Sequence, residues 1–444
     1  MPFRVLSFDG GPNVGAYVRC LQAIEAARPG FLDRVDLLIG SSAGACTSVF
    51  LAGRLAPGAD GAAVAADAVD YADGVLRAMA PQDGRAYKRL LTGAKPLIES
   101  TGIRAHLSEN TGDFASLPRR VSVLSCSARA PYDPLITSNY GRGASAEDSV
   151  DVVVRSSSLP VWSAPHQGRI DGALFTNNPS TTGLLELIAS TRGTDEQVDL
   201  DDVVLLSFGG DDGNGKLSNL RCPGASKESK ISKDPMALLK KLGVPVDKAM
   251  KDAAATLGPL QEEMAAKLAE LGLSVAPGAE EDGEPGAGED SEDWGWRQWL
   301  AYPGNLAYVL QVWVASEGRG AHWQCEQLLG ERALRVAPMG PLPTNEALLA
   351  LFLGQPEPVI EVAKLTGRLW SDPPSSKAMG FDVDVLKTLA WVDEHWMADA
   401  PAGERAPTDA HQRAQADAGT PPRRRKRDRL ADLLKGASTV LRGT

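Results

Sequence analysis

Gly40-Ser41-Ser42-Ala43-Gly44 spells G-x-S-x-G. An apolar run precedes it and a helical run follows. That is the pattern of a sharp strand-to-helix turn that lifts a serine hydroxyl above a sheet edge. Gly40 and Gly44 are small enough for the bend, and the helix N-terminus beneath favours developing negative charge. Ser42 is thus the candidate nucleophile, with an ordinary glycine-rich turn as the competing reading. A second turn reads Asp9-Gly10-Gly11-Pro12-Asn13-Val14-Gly15. Successive glycines expose backbone N–H groups that can cradle an anion, either a phosphate or the oxyanion of an ester intermediate. No G-K-[ST] follows, which disfavours a nucleotide P-loop. A plain turn is again the alternative. A third segment reads Ile170-Asp171-Gly172-Ala173, then Asn177-Asn178-Pro179. A lone Asp-Gly-Ala says little, but a serine nucleophile needs a base. The histidines (106, 166, 322, 395 and 411) offer no evident triad partner. His166, nearest to Asp171 in sequence, is expected at a rim or facing solvent.

These residues need elements to hold them. Residues 3–8 (FRVLSF) and 35–39 (VDLLI) read as strands. Each is followed by a glycine turn and a helical run. Val14, Tyr17, Val18, Leu21 and Ile24 form one apolar helical stripe. Two strand–turn–helix units within the first 55 residues argue for α/β with a largely parallel sheet. Helical character is expected over 62–108, 148–157, 304–316 and 321–330, and strands over 120–126 and 202–208.

The chain has 444 residues and a formal net charge of −11. That charge is unevenly spread. Residues 276–296 carry eight acids and no base, in a Gly/Pro-rich stretch whose composition cannot form a core. Residues 423–429 (RRRKRDR) carry +5, leaving −8 for the remainder. An acidic body disfavours nucleic acid as a partner. The five cysteines show no CxxC spacing, so no structural zinc is expected, and a reducing compartment is favoured. The first residues lack the apolar stretch of a secretory leader, and there is no run of 18 apolar residues. The expected location is cytoplasmic.

Together the three motifs resemble the patatin-like phospholipase family: a DGG turn, GSSAG, then DGA followed by NNP. Ser156-Ser157-Ser158-Leu159-Pro160 looks like that family's S-S-x-x-P stretch. Residues 203–210 look like its strand after the aspartate, and 321–336 like its closing region. The resemblance spans 1–210 and 300–370. It implies a three-layer α/β/α sandwich with a mostly parallel central sheet, and a Ser42–Asp171 dyad rather than a triad. Ser42 would attack an ester carbonyl, and Asp171 would take its proton and later activate water. Backbone N–H groups of Gly10, Gly11, Asn13 and Ala43 would hold the oxyanion. Gly40, Gly44, Gly172 and Ala173 complete the motifs. The substrate implied is a glycerophospholipid acyl ester, with no metal or cofactor. The sequence departs from the family turn D-G-G-G-x-[RK]-G at two places. Pro12 replaces the third glycine and has no N–H to donate, and Val14 replaces the basic residue.

The expected organisation is a catalytic core over 1–210, a helical insertion with the acidic linker over 211–300, and the rest of the catalytic domain over 301–395. A disordered linker over 396–422 and a basic amphipathic helix over 423–444 follow. In the last, Leu430, Leu433, Leu434, Ala437 and Leu441 form one apolar stripe after the basic run. Such a helix suits an anionic membrane surface, giving a peripheral location, and equally suits docking on protein. Two functional rivals stand beside the dyad: a serine esterase using a histidine triad, and a noncatalytic lipid-binding or scaffold protein with a degenerate oxyanion loop. The oligomeric state is left open.

Overall fold

The computed structural model describes residues 2–80, 96, 98, 100–160, 162–209, 303–338, 356–372 and 385–398. The chain divides into two compact units, Met1–Ala400 and Pro401–Thr444. The second unit lies outside the described residues, as does the expected insertion over 211–300. The basic helix over 423–444 and nearly all of the linker over 396–422 fall outside them too.

The strands are β1 (Phe3–Phe8), β2 (Leu37–Ser41), β3 (Arg120–Ser127), β4 (Pro134–Ser138), β5 (Arg169–Asp171), β6 (Val203–Phe208) and β7 (Ala333–Val336). The helices are α1 (Val14–Ala27), α2 (Ala43–Arg54), α3 (Gly61–Met79), α4 (Ser100–Asn110), α5 (Ser149–Ser156), α6 (Ser180–Thr191), α7 (Pro303–Leu329), α8 (Glu357–Ser371) and α9 (Val385–Trp391). The sheet order is β4-β3-β2-β1-β6-β7. Strands β3, β2, β1, β6 and β7 run parallel, while β4 and β5 pair antiparallel with β3.

Alternation along the strands sorts the core into two layers. Leu6, Phe8, Leu38, Val204, Leu206 and Phe208 pack in one cluster with α1, α2 and α3. Val5, Leu37, Ile39, Val203 and Leu205 pack in the other with Leu184 and Leu187 of α6 and Cys325 and Leu329 of α7. Both faces are covered, which is why the central strands β1, β2 and β6 carry apolar residues at consecutive positions rather than only at alternate ones. The architecture is the α/β/α sandwich with a mostly parallel sheet. Its α1 stripe is fully buried, and Arg19 on the flank pairs with Asp73 of α3 at 2.9 Å.

Several boundaries differ from expectation. Strand β2 starts two residues later than read and runs through Gly40 into Ser41. The two expected helical stretches after 303 are one helix, α7. Next to the expected boundary at 395, Trp396 is fully buried and stacks on Phe31 with ring centroids 4.8 Å apart. Arg4 donates to the carbonyls of Trp396 and Ala398.

Register explains how the motifs meet. On β3, β4 is paired over Ser122–Cys126. Both β2, paired as far as Leu124, and β5, paired over Ser125–Ser127, overlap that span and so must use the opposite edge. Strand β2 leaves this edge at Ser41, and β5 arrives on it from the other direction and ends at Asp171. The chain ends of the two strands therefore face each other at one point on β3, with Ser42 and Asp171 on either side of it.

Candidate active site

Ser42 sits between β2 and α2 at φ 55°, ψ −125°. A side chain rarely adopts positive φ, and a nucleophile elbow requires it. Two close approaches make the bend feasible. A Cβ on Gly40 would lie 2.5 Å from the Gly44 carbonyl oxygen, and one on Gly44 would lie 2.3 Å from that of Phe8. The Ser42 N–H donates to Ser156 Oγ at 2.9 Å. The S-S-S-L-P stretch thus has a mechanical role: Ser156 holds the elbow, and the Ser158 carbonyl accepts the Asp171 N–H at 3.0 Å.

Ser42 Oγ donates to Asp171 Oδ2 at 2.7 Å. Asp171 is 1% exposed and Ser42 8%. Burial pushes the Asp171 carboxyl up to about 7, against the opposing effects of the Ser42 hydroxyl and the Ala173 N–H, which donates to Oδ1 at 2.8 Å. A hydroxyl hydrogen-bonded to a buried carboxylate of that basicity is suited to proton transfer near neutral pH. Gly172 lies against β3, where a Cβ would meet the Leu124 carbonyl oxygen at 2.3 Å.

The glycine turn after β1 closes over the same point. A Cβ on Gly10 would lie 3.0 Å from Ser42 Cβ and 3.2 Å from Ala173 Cβ, so the three motifs converge within van der Waals contact. The Gly10 N–H is not available to an oxyanion, because it donates to the Asn177 carbonyl at 3.2 Å. This narrows the expected donor set. Among the described residues the fold pairs neither the Gly11 nor the Ala43 N–H with a carbonyl. Gly11 takes φ 115°, a conformation that glycine supplies. Asn13 is the N-cap of α1, and its carbonyl accepts from Ala16 and Tyr17. Val14 is buried in the core rather than turned to the site.

His166 is engaged elsewhere. Its Nε2 lies 2.8 Å from Asp151 Oδ1 and 3.3 Å from Arg104 Nη1. Ser156, Asn177, Glu317 and Arg335 also support the site and escaped sequence reasoning as individual residues. Ser156 lies in the Ser-Ser-Ser-Leu-Pro stretch and Asn177 in Asn-Asn-Pro, so the motifs signalled their neighbourhood. Glu317 lay 140 residues downstream of Asn177, between two expected helical stretches, where nothing marked it; Arg335 lay inside the 321–336 stretch that resembles the family's closing region, but nothing there singled out the arginine.

Residues 6–182, which hold this geometry, match the family model of patatin-like phospholipases. The match begins within β1 and ends at the start of α6, so it encloses the glycine turn, the G-x-S-x-G turn and the Asp-Gly-Ala segment. The protein CotR of Bacillus subtilis is 24% identical over 218 residues, covering 47% of this chain and 62% of that protein. Protein teg of Priestia megaterium is 26% identical over 215 residues, covering 47% and 63%. The chain thus spans less than two thirds of the curated relatives it matches. Among solved structures, VipD from Legionella pneumophila aligns over 89% of this chain and 79% of its own at 11% identity and a TM-score of 0.30. A chain from the complex of SpcU with ExoU of Pseudomonas aeruginosa aligns over 47% and 44% at 15% identity and a TM-score of 0.23. Among the described residues no helix is long and apolar enough to cross a membrane.

Proposed function

We propose that this chain hydrolyses carboxylic esters of phospholipids through a Ser42–Asp171 dyad. The observation that carries the reading is the 2.7 Å hydrogen bond from Ser42 Oγ to a fully buried Asp171. Match to a phospholipase family supports the hydrolase class and a lipid substrate. Ser42 Oγ attacks the ester carbonyl carbon as its proton passes to Asp171. In this reading the N–H groups of Gly11 and Ala43, with the N-terminus of α2 behind Ala43, hold the developing oxyanion. Collapse of the tetrahedral intermediate expels the lysolipid alcohol, which takes the proton from Asp171. Water then attacks the acyl-serine with Asp171 as base, releasing the fatty acid and restoring Ser42.

The test is product analysis on phospholipid vesicles together with fluorophosphonate labelling. Wild-type protein should release fatty acid and label, and Ser42→Ala should lose both, with turnover down by about 10³-fold or more. Fatty-acid release that persists in Ser42→Ala would refute the dyad. A noncatalytic lipid-binding role has one observation in its favour: Pro12 has no N–H, and Gly10 spends its own on Asn177. Saturable vesicle binding with neither labelling nor product would establish that role instead.

A further inference from the structure

Two contacts reach the site from β7 and α7, outside residues 6–182. The first comes from β7. Arg335 Nη2 donates to Asp9 Oδ2 at 2.7 Å and Nη1 to Asp9 Oδ1 at 3.2 Å, with Nη1 also 3.3 Å from Ser207 Oγ. The side chains are 5% and 1% exposed. The guanidinium lies in a slot that glycines keep open. A Cβ on Gly209 would fall 1.9 Å from Nη2, and one on Gly318 would fall 3.0 Å from it. Asp9 immediately precedes Gly10 and Gly11, and its own N–H is fixed to the Phe208 carbonyl at 2.9 Å.

The second contact comes from α7. Glu317 Oε2 accepts from the N–H groups of Asn177 and Asn178, each at 2.9 Å, and Oε1 accepts from Thr176 Oγ1 at 2.5 Å. Asn178 Nδ2 donates to the Gly318 carbonyl at 3.0 Å. The Asn177 carbonyl is in turn the acceptor for the Gly10 N–H. Arg335 and Glu317 therefore hold the two strips of backbone that meet at Gly10: the turn after β1 and the segment after Asp171. A bidentate guanidinium fixes both carboxylate oxygens and the plane of the group, which a point charge does not.

The position that carries a basic residue in the family turn is Val14 here, packed into the core. We propose that Arg335 and Glu317 are positioning residues for ester hydrolysis: Arg335 orients the Asp9–Gly11 turn and Glu317 the 176–178 segment. Together they place the Gly11 N–H relative to Ser42, so the segment beyond residue 300 completes the site. The proposal rests on the Ser42–Asp171 reading for its catalytic consequence, though not for its structural one.

The test uses the full chain, a monomeric short-chain acyl ester of 4-nitrophenol, and hydrogen exchange on a peptide covering 9–13. Asp9→Asn/Arg335→Met removes both charges together and leaves no buried charge unpaired. Its kcat should fall by about 10²-fold, with KM within about twofold. Exchange at 9–13 should quicken while α1 beyond Gly15 keeps its protection. Arg335→Lys should recover only a minor part of kcat, because an ammonium serves one carboxylate oxygen at a time. Glu317→Gln should lower kcat by about tenfold, since an amide cannot accept with its nitrogen. An unchanged kcat in the double variant overturns the proposal. So does a loss explained by global unfolding, seen as a lowered Tm with exchange quickened throughout. Ser42→Ala run alongside separates the two claims. If it retains full activity, the dyad reading fails, while exchange at 9–13 still decides whether Arg335 orders the turn.

Discussion

Asp73 and Asp171 are both buried carboxylates, and the fold treats them in opposite ways. Asp73, on α3 facing α1, receives both Nη atoms of Arg19 at 2.9 Å. Asp171, at the end of β5, receives a hydroxyl and one backbone N–H. The first arrangement neutralises a charge and ties two helices. The second leaves a carboxylate whose burial is only partly offset, and burial holds its pKa up at about 7. An unburied carboxylate would sit near 4, three units less basic. A site gains a usable base where the core denies a carboxylate its counter-ion, and the difference can be tested by removing each group in turn.

The largest effect is expected at Asp73. Asp73→Ala strands Arg19 as an unpaired buried charge and should lower stability by about 3–5 kcal/mol. Urea unfolding measures it. Removing both partners, as in Arg19→Met/Asp73→Leu, should recover most of that loss. Ester turnover per folded molecule should match wild type in both proteins. A catalytic defect in the double variant would break the contrast between a structural pair and a site carboxylate.

Asp171→Asn should do the reverse and stabilise the protein. Because the folded pKa is raised, the native state binds more protons than the unfolded state between about pH 4 and 7. Wild-type stability therefore falls as pH rises through that window and stays lowered above it. Asparagine removes the ionisation, so the variant should gain about 2–4 kcal/mol at pH 8 and little below pH 4. Its amide oxygen can still accept from Ala173. A gain independent of pH would mean that the effect comes from packing and not from charge. The same ionisation should shape turnover: kcat/KM on a soluble ester should rise about tenfold per pH unit below 7 and level off above it. A profile flat from pH 5 to 8 would remove Asp171 as the base.

How much of this was legible beforehand depended on how local the signal was. The elbow and the glycine turn were legible because their residues adjoin and because glycine is demanded by backbone contact at Gly40 and Gly44. Strands β1 and β6 were legible as short, largely apolar runs closed by glycine turns, and the α1 stripe as a helical period. Strand β5 was not, because three residues, Arg169–Asp171, are too few to show alternation. Strand β7 was likewise missed, at four residues with Arg335 among them. The Asp171 contact could be named only through a family resemblance, since nothing local to Asp171 indicates that β5 takes over the edge vacated by β2. The donor role given to Gly10 failed because its acceptor, Asn177, is remote in sequence.

The smallest effect is expected at His166, and it closes the comparison from the other side. A histidine a few residues before the aspartate invites a triad, but its Nε2 is bound to Asp151. Asp151 also receives Arg104 at 2.9 Å, and the Asp151 carboxyl is held low by His166 and Arg104 despite the opposing effect of burial. This is a partly exposed ion-pair network around a well-ionised carboxylate, the state that Asp171 avoids. Pairs of this exposure contribute about 1 kcal/mol or less. His166→Ala should leave kcat within about twofold of wild type and shift the pH profile by nothing measurable. A loss of turnover that spared Asp171→Asn would instead place the base at His166 and make the unpaired carboxylate a structural curiosity.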